Sequence, residues 1–207
     1  MIGVTMFTDS HYELAQEAIR RFKKHTGLSV VGIHLIEKKS NSFLRKLWIC
    51  DYVASSAVFF DSDLWFNEDF DFSQFEGEES VFGVLDPGWN NKDCFVYQDS
   101  ISHGLNMWKY INTGLFVFNK RHHSHIFELA KKLHKSRKVN DFGEQTYFNI
   151  ALQETSSSVV LLEDGLNYFF KEDPLLIQST NKETAIAFHA AAFAHPDKFN
   201  QLRRILQ

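Results

Sequence analysis

The stretch that decides the fold is Val58-Phe59-Phe60-Asp61-Ser62-Asp63-Leu64-Trp65-Phe66, an apolar run with two carboxylates set in its middle. A run of this length and composition reads as a strand buried on both faces. Residues two apart in an extended chain point the same way, so Asp61 and Asp63 aim at one point with only the small Ser62 between them. Two carboxylates held that close repel unless a cation or a proton intervenes. In open α/β sheets, ligands gather at the carboxyl ends of strands. The competing reading is a turn in which the two aspartates cap local backbone groups.

Composition narrows the class. With 207 residues, 44% hydrophobic and 15% aromatic, including 21 Phe, the chain buries one substantial core, and one domain over 1–207 is expected. The formal charge is −4 with scattered Lys and Arg, which excludes the basic footprint of a nucleic-acid binder. An acidic protein handling a polyanionic small molecule needs a metal to help. No apolar run reaches the length of a membrane span and no leader pattern opens the chain, so a cytoplasmic location is the expectation. Cys50 and Cys94 have neither metal-site nor redox-motif spacing and read as free thiols.

Upstream, residues 2–7 form a first strand. An amphipathic helix follows, with Ser10 and Glu13 in capping-box spacing, a stripe of Leu14, Ala18, Ile19 and Phe22, and a stop at Gly27. Residues 28–36 supply a second strand, so the unit predicts a parallel pair with a right-handed crossover. The first turn lacks the glycine fingerprints of a Rossmann dinucleotide site or a P-loop. Thr8, Asp9 and Tyr12 stand there instead. Tyr12 can stack on a base while Asp9 accepts from a base or ribose donor, or Asp9 is a helix cap and Tyr12 a surface residue. Residues 41–53 read as a helix that presents Arg45 and Lys46 to a phosphate or to solvent. Residues 67–79 read as an acidic, Phe-rich loop.

Downstream, residues 81–85 form a strand stopped by Asp86-Pro87-Gly88. Residues 89–111 read as a long aromatic loop, suited to stacking on sugar faces or to packing on its own core. Asn112-Thr113-Gly114 precedes the strand 115–118, and 121–135 is a helix with His122, His123 and His125 at its solvated start. Asp141 and Glu144 pair as caps of a further helix, on which Gln145 and Asn149 share a face that can reach a cleft. Strands at 159–162 and 185–189 follow, the latter ending in His189 as the central strand ends in a carboxylate. A helix over 196–205 closes the chain.

Taken in order, these pieces resemble the retaining glycosyltransferases of family 8, which include glycogenin and bacterial lipopolysaccharide galactosyltransferases. The resemblance rests on Thr8-Asp9 with Tyr12; Phe43, Lys46, Leu47 and Cys50 leading to Asp61-Ser62-Asp63; Asp86-Pro87-Gly88-Trp89; Asn112-Thr113-Gly114; Gly143-Glu144-Gln145 with Asn149; and His189. It implies an α/β fold of the GT-A, Rossmann-like type, with a mixed, mostly parallel central sheet flanked by helices. The nucleotide-binding half would be about 1–65 and the acceptor-side half about 80–207. It implies a nucleotide-sugar donor, most often UDP-linked, and a glycan or other hydroxyl acceptor. It also implies a divalent cation held by Asp61, Asp63 and His189. Tyr12 would stack on the base, Thr8 and Asp9 would contact the uridine, and Lys46 and Ser62 would lie by the nucleotide. Asn112 and Gly114 would flank the donor sugar, with Glu144 and Gln145 near the anomeric centre. Three departures stand out. Glu144 replaces the family's Asp before Gln145. The glycine and Lys-Pro-Trp that grip the diphosphate after the metal histidine are absent, with His195 or Lys198 as substitutes. Residues 90–111 exceed the glycogenin-like spacing.

Two carboxylates and an imidazole suit Mn²⁺ or Mg²⁺, the imidazole favouring Mn²⁺. An inverting enzyme would instead need a carboxylate base, with Asp86, Asp141 or Glu144 as candidates. A sugar-phosphate nucleotidyltransferase would want a glycine- and lysine-rich first turn. A carbohydrate-binding module would use the aromatic loop and leave the carboxylates and histidine without a role.

Overall fold

The computed structural model describes residues 1–36, 42–136, 138, 143–169 and 185–189. Among the described residues, nine strands divide between two sheets. The central sheet has six, in the order β2 (Val30–His34), β1 (Ile2–Phe7), β3 (Ser56–Phe60), β6 (Ile111–Asn119), β5 (Val81–Leu85), β7 (Val159–Leu162). β1 is parallel to β2 and β3, β5 is parallel to β7, and only β6 runs against its neighbours. The expected mixed, mostly parallel sheet is therefore present, and strands from both halves of the chain are hydrogen-bonded within it.

Every residue of β3 is buried, as a strand covered on both faces requires. Its side chains alternate between two cores. Ala57 and Phe59, with Phe116 and Phe118 of β6, pack among residues of α3 (Lys120–Ser136) and α4 (Glu144–Glu154). Val58 and Phe60, with Leu115 and Val117, face Ala18 and Phe22 of α1 (Tyr12–Thr26). Gly27 ends α1 at φ 69°, a left-handed conformation that glycine adopts without strain.

The second sheet is small, in the order β4 (Leu64–Phe66), β9 (Ala187–His189), β8 (Tyr168–Phe169). It lies against α1, so that Phe22 stacks on Phe60 of the large sheet with ring centroids 4.2 Å apart and meets Phe66 of the small one edge-on at 5.1 Å. The deciding stretch is consequently two strands and not one. The chain turns at Asp61-Ser62-Asp63, where the Leu64 N–H donates to the Asp61 carbonyl at 3.0 Å, and crosses from one sheet to the other. Apolar residues flank the turn on both sides, so periodicity alone merges the two strands.

Other departures have local causes. The helix expected over 41–53 is present at Ser42–Tyr52, and it is a 3₁₀ helix. Ser10 is not the N-cap of α1: a 3₁₀ turn (Asp9–His11) precedes the helix and His11 takes that position, while the Ser10 hydroxyl lies 2.9 Å from Thr8 Oγ1 and 3.0 Å from His11 Nδ1. Residues 89–111 are not an irregular loop. They contain α2 (Phe95–Ser102) and a 3₁₀ turn, and Tyr110 is fully buried with its hydroxyl 2.8 Å from Thr146 Oγ1. His123 is buried, accepting from the Asn119 N–H at 2.8 Å. Cys50 and Cys94 are free thiols, and burial pushes Cys50 up to about 11. Among the described residues, no helix is long and apolar enough to cross a membrane. Asp141, His195, Lys198 and the expected helix over 196–205 lie outside the described residues.

Because Phe22 joins the two sheets through α1, Phe22→Ala is expected to lower the unfolding free energy by about 3–5 kcal/mol, measured by urea denaturation. A loss below about 1 kcal/mol would mean the small sheet does not depend on this contact.

Candidate active site

The turn after β3 and the end of β9 meet because β4 and β9 pair antiparallel with Leu64 opposite His189. His189 thereby stands beside the residue that follows Asp63. Its Nε2 is 3.3 Å from Asp63 Oδ1 and 3.6 Å from Asp61 Oδ2. One ligand atom from each of the three lies within 4.8 Å of the others, the one such grouping among the described residues. Ser62 is buried in the turn. Two carboxylates and one imidazole nitrogen form a donor set fit for a divalent cation.

Gly114 forms the floor. Its carbonyl accepts the Asp61 N–H at 2.8 Å, and a Cβ at this position would lie 2.2 Å from His189 Cε1 and 2.7 Å from Asn112 Oδ1. Any larger residue displaces the imidazole, which explains the glycine in Asn112-Thr113-Gly114.

Beside this cluster runs a buried polar network. Asn112 Nδ2 donates to Asp86 Oδ2 at 2.9 Å and to Gln145 Oε1 at 3.0 Å. Gln145 Oε1 also accepts the Thr113 N–H at 3.0 Å, while its Nε2 donates to Asp86 Oδ2 at 3.0 Å. Asp86 Oδ1 accepts the Gly88 N–H at 2.8 Å. Asn167 connects the two systems, donating from Nδ2 to Asn112 Oδ1 at 3.0 Å and placing Oδ1 2.8 Å from His189 Nδ1. Asn149 does not enter the cleft. Its amide pairs with both backbone groups of Ile111, each at 2.9 Å, and pins α4 to β6.

Charge is balanced by Lys46, whose Nζ lies 2.8 Å from Asp61 Oδ1 and 3.4 Å from Glu144 Oε1. Burial opposes its charge, but Asp61 and Glu144 beside it hold the ammonium up at about 12. Burial lifts the Glu144 carboxyl to about 7 against the pull of Lys46. Glu144 Oε2 is buried with no hydrogen-bond partner among the described residues. Burial works against ionisation of Asp63 too, yet His189 and Lys46 hold it below the usual carboxylate range.

Of the residues singled out from sequence, the structure joins Lys46, Asp61, Asp63, Asn112, Gly114, Glu144, Gln145 and His189 in one connected set. Thr8, Asp9 and Tyr12 sit at the end of β1 and the start of α1, on the edge of the sheet to which β3 also points. Thr8 is buried, Tyr12 is half exposed with its ring edge-on to Phe7 at 5.9 Å, and Asp9 Oδ1 lies 2.6 Å from His34 Nε2. Asp86 was legible as a strand-ending carboxylate before Pro-Gly, but its place in the network was not. Asn167 and His34 carry no signal in the sequence.

No family model and no curated protein sequence matches the chain. Solved structures do. The WbbM bifunctional glycosyltransferase in its apo form aligns with a TM-score of 0.73 and 14% identity over 100% of this chain, which spans 49% of that one. A glycosyltransferase involved in glycosylation of the major capsid of PBCV-1 aligns at 0.65 and 11% identity, covering 99% of this chain and 98% of its own. Mouse xyloside xylosyltransferase 1, apo form, aligns at 0.57 and 11% identity, covering 94% and 98%. At these identities the likeness is one of fold, which this chain shares with these three glycosyltransferase structures.

Proposed function

We propose that the protein is a metal-dependent glycosyltransferase of the GT-A type, similar to family 8, which moves a hexose from a UDP-sugar to a hydroxyl of a glycan or other acceptor. The observation that carries this reading is the seating of His189 on Gly114 against Asp61 and Asp63, with the Asp86–Asn112–Gln145 network alongside. A divalent cation held by the three residues, Mn²⁺ or Mg²⁺, would neutralise the charge that gathers on the leaving diphosphate. Lys46 steadies Asp61 in that arrangement. Thr8, Asp9 and Tyr12 receive the uridine, Tyr12 by stacking and the other two by hydrogen bonds, with Ser62 in the turn between. Asn112, Gly114 and Gln145 line the place of the donor sugar.

Retention fits the way Gln145 is held. Its oxygen accepts from Asn112 and Thr113 and its nitrogen donates to Asp86, so the amide is a fixed dipole and not a nucleophile. One observation favours inversion as a second reading: Glu144 at about 7 is suited to general-base work near neutral pH. Asp86 is a poorer base, since both of its oxygens already accept hydrogen bonds. The anomeric configuration of the product, read by NMR, decides between them. A nucleotidyltransferase and a carbohydrate-binding module are disfavoured by the first turn and by the carboxylate–imidazole cluster respectively.

Thermal-shift measurements with UDP and UDP-hexoses test the assignment, because a ligand that binds only the folded state raises its melting temperature. The shift is expected with Mn²⁺ or Mg²⁺ and not in EDTA, and Gly114→Ala should abolish it while the protein still melts cooperatively. A UDP shift that ignores metal, or one that survives in Gly114→Ala, refutes the metal centre.

Glu144 makes a separate prediction. Its native value of about 7 exceeds the ordinary 4.5, so the folded state binds this proton more tightly than the unfolded chain. The stabilisation is complete below 4.5 and is lost as pH rises through 7. The permanently neutral Glu144→Gln should therefore gain on wild type across that window in metal-free buffer, by up to about 3 kcal/mol. A gap that does not change with pH contradicts the environment assigned to Glu144.

On the acceptor side, Trp108 is 64% exposed and rests on Trp89 with ring centroids 3.9 Å apart. Exposed indole faces stack on sugars. Trp108→Ala is expected to lower transfer to acceptor while leaving metal-dependent donor hydrolysis nearly intact. Equal loss of both in folded protein would make the indole pair a structural prop.

A further inference from the structure

The hydrogen bonds around His189 contain directional information beyond the identity of the ligand set. Polarity is fixed first at a backbone group: the Gly114 N–H donates to Asn112 Oδ1 at 2.8 Å. The other end of that amide, Nδ2, donates to Asp86 Oδ2 and to Gln145 Oε1. Gln145 Oε1 is itself fixed as an acceptor by the Thr113 N–H. The Asn112 amide therefore has one orientation, with Oδ1 accepting. Facing that oxygen at 3.0 Å, Asn167 must present its NH₂, which turns its own carbonyl oxygen to His189 Nδ1 at 2.8 Å. A carbonyl oxygen only accepts, so Nδ1 carries the hydrogen. Nε2 is left directed at Asp63 and Asp61, at 3.3 and 3.6 Å.

We infer that Asn167 is a positioning residue that sets the tautomer and ring orientation of His189, so that Nε2 is the nitrogen offered to a divalent cation. Asn167 and His189 are each 3% exposed, so water does not compete for this bond. Delivery is also local. Asn167 ends the 3₁₀ turn Asp164–Asn167 that leads directly into β8, and β8 pairs in parallel with β9, which carries His189. Partners of this kind, bonded to the far nitrogen of a ligating histidine, set the ring's basicity and orientation. A purely structural role would ask only that Asn167 satisfy its buried neighbours. The positioning role asks that an acceptor face Nδ1.

The inference rests on reading Asp61, Asp63 and His189 as a metal centre, and the experiment separates the two. Mn²⁺ binding is measured by isothermal titration calorimetry on wild type, Asn167→Leu, which is close in shape and has no acceptor, and Asn167→Asp, which keeps an acceptor toward the ring. Asn167→Leu is expected to weaken Mn²⁺ binding by about 10–100-fold, and Asn167→Asp to recover most of that loss. Wild-type affinity in Asn167→Leu, or equal weakening in both variants, overturns the positioning role while the metal centre stands. Absence of Mn²⁺ binding by wild type overturns both. Long-range ¹H–¹⁵N NMR of metal-free wild type at alkaline pH needs no variant and keeps the test open if Asn167→Leu does not fold: hydrogen on Nδ1 of His189 is expected, and hydrogen on Nε2 overturns the inference.

Discussion

The contact between Gly114 and the ring of His189 is the constraint on which the site depends. One strand of the large sheet carries no side chain at the point where a histidine from the small sheet must lie, and the Gly114 carbonyl also anchors the backbone of Asp61. The large sheet thus fixes both the carboxylate turn and the surface that receives the imidazole. The pairing of Leu64 with His189 then sets how far along that surface the imidazole falls. Since β4 and β9 have three residues each, their own hydrogen bonds hold little, and the small sheet relies on the aromatic packing around Phe22, Phe66 and Phe72.

That packing explains the abundance of phenylalanine. The chain carries apolar side chains on both faces of β3 and β6 and must cover each face with a different layer. Phe116, Phe118, Phe127 and Phe148 fill the side under α3 and α4, and Phe22, Phe60, Phe66, Phe72 and Phe188 fill the side shared with the small sheet. A site built where these two layers end inherits rigid walls, which is what holding polar groups to within half an ångström requires.

Electrostatics impose the opposite demand. Glu144, Asp61 and Asp63 converge on Lys46 and His189 in a poorly solvated place, and a single ammonium serves two carboxylates. Such clusters contribute little net stability, because desolvation offsets attraction. One oxygen of Glu144 is buried without a hydrogen-bond partner among the described residues, which adds to that cost. An arrangement this unfavourable for folding alone is the observation that supports the proposed catalytic reading.

The sequence by itself determined the strand order through the first crossover, the carboxylate pair, the strand-ending histidine and the absence of a glycine phosphate loop. These are local features: alternation, spacing and side-chain type are written within a few residues of one another. It also marked Gln145 and Asn149 as a polar pair on one helical face, whereas the site roles of Lys46, Asn112, Gly114 and Glu144 came only through the family resemblance. The tertiary structure alone decided that Val58 to Phe66 is split between two sheets, that Asn149 ties a helix to a strand while Gln145 four residues earlier enters the site, and that Asn167 stands behind His189. Each of these follows from contacts between segments distant in the chain. Asn149 and Gln145 share a helical face and a chemistry, and what separates them is which part of β6 each meets. Asn167 lies in a short turn that no periodicity marks, and its meaning comes only from the β8–β9 pairing that brings its carbonyl oxygen to the imidazole.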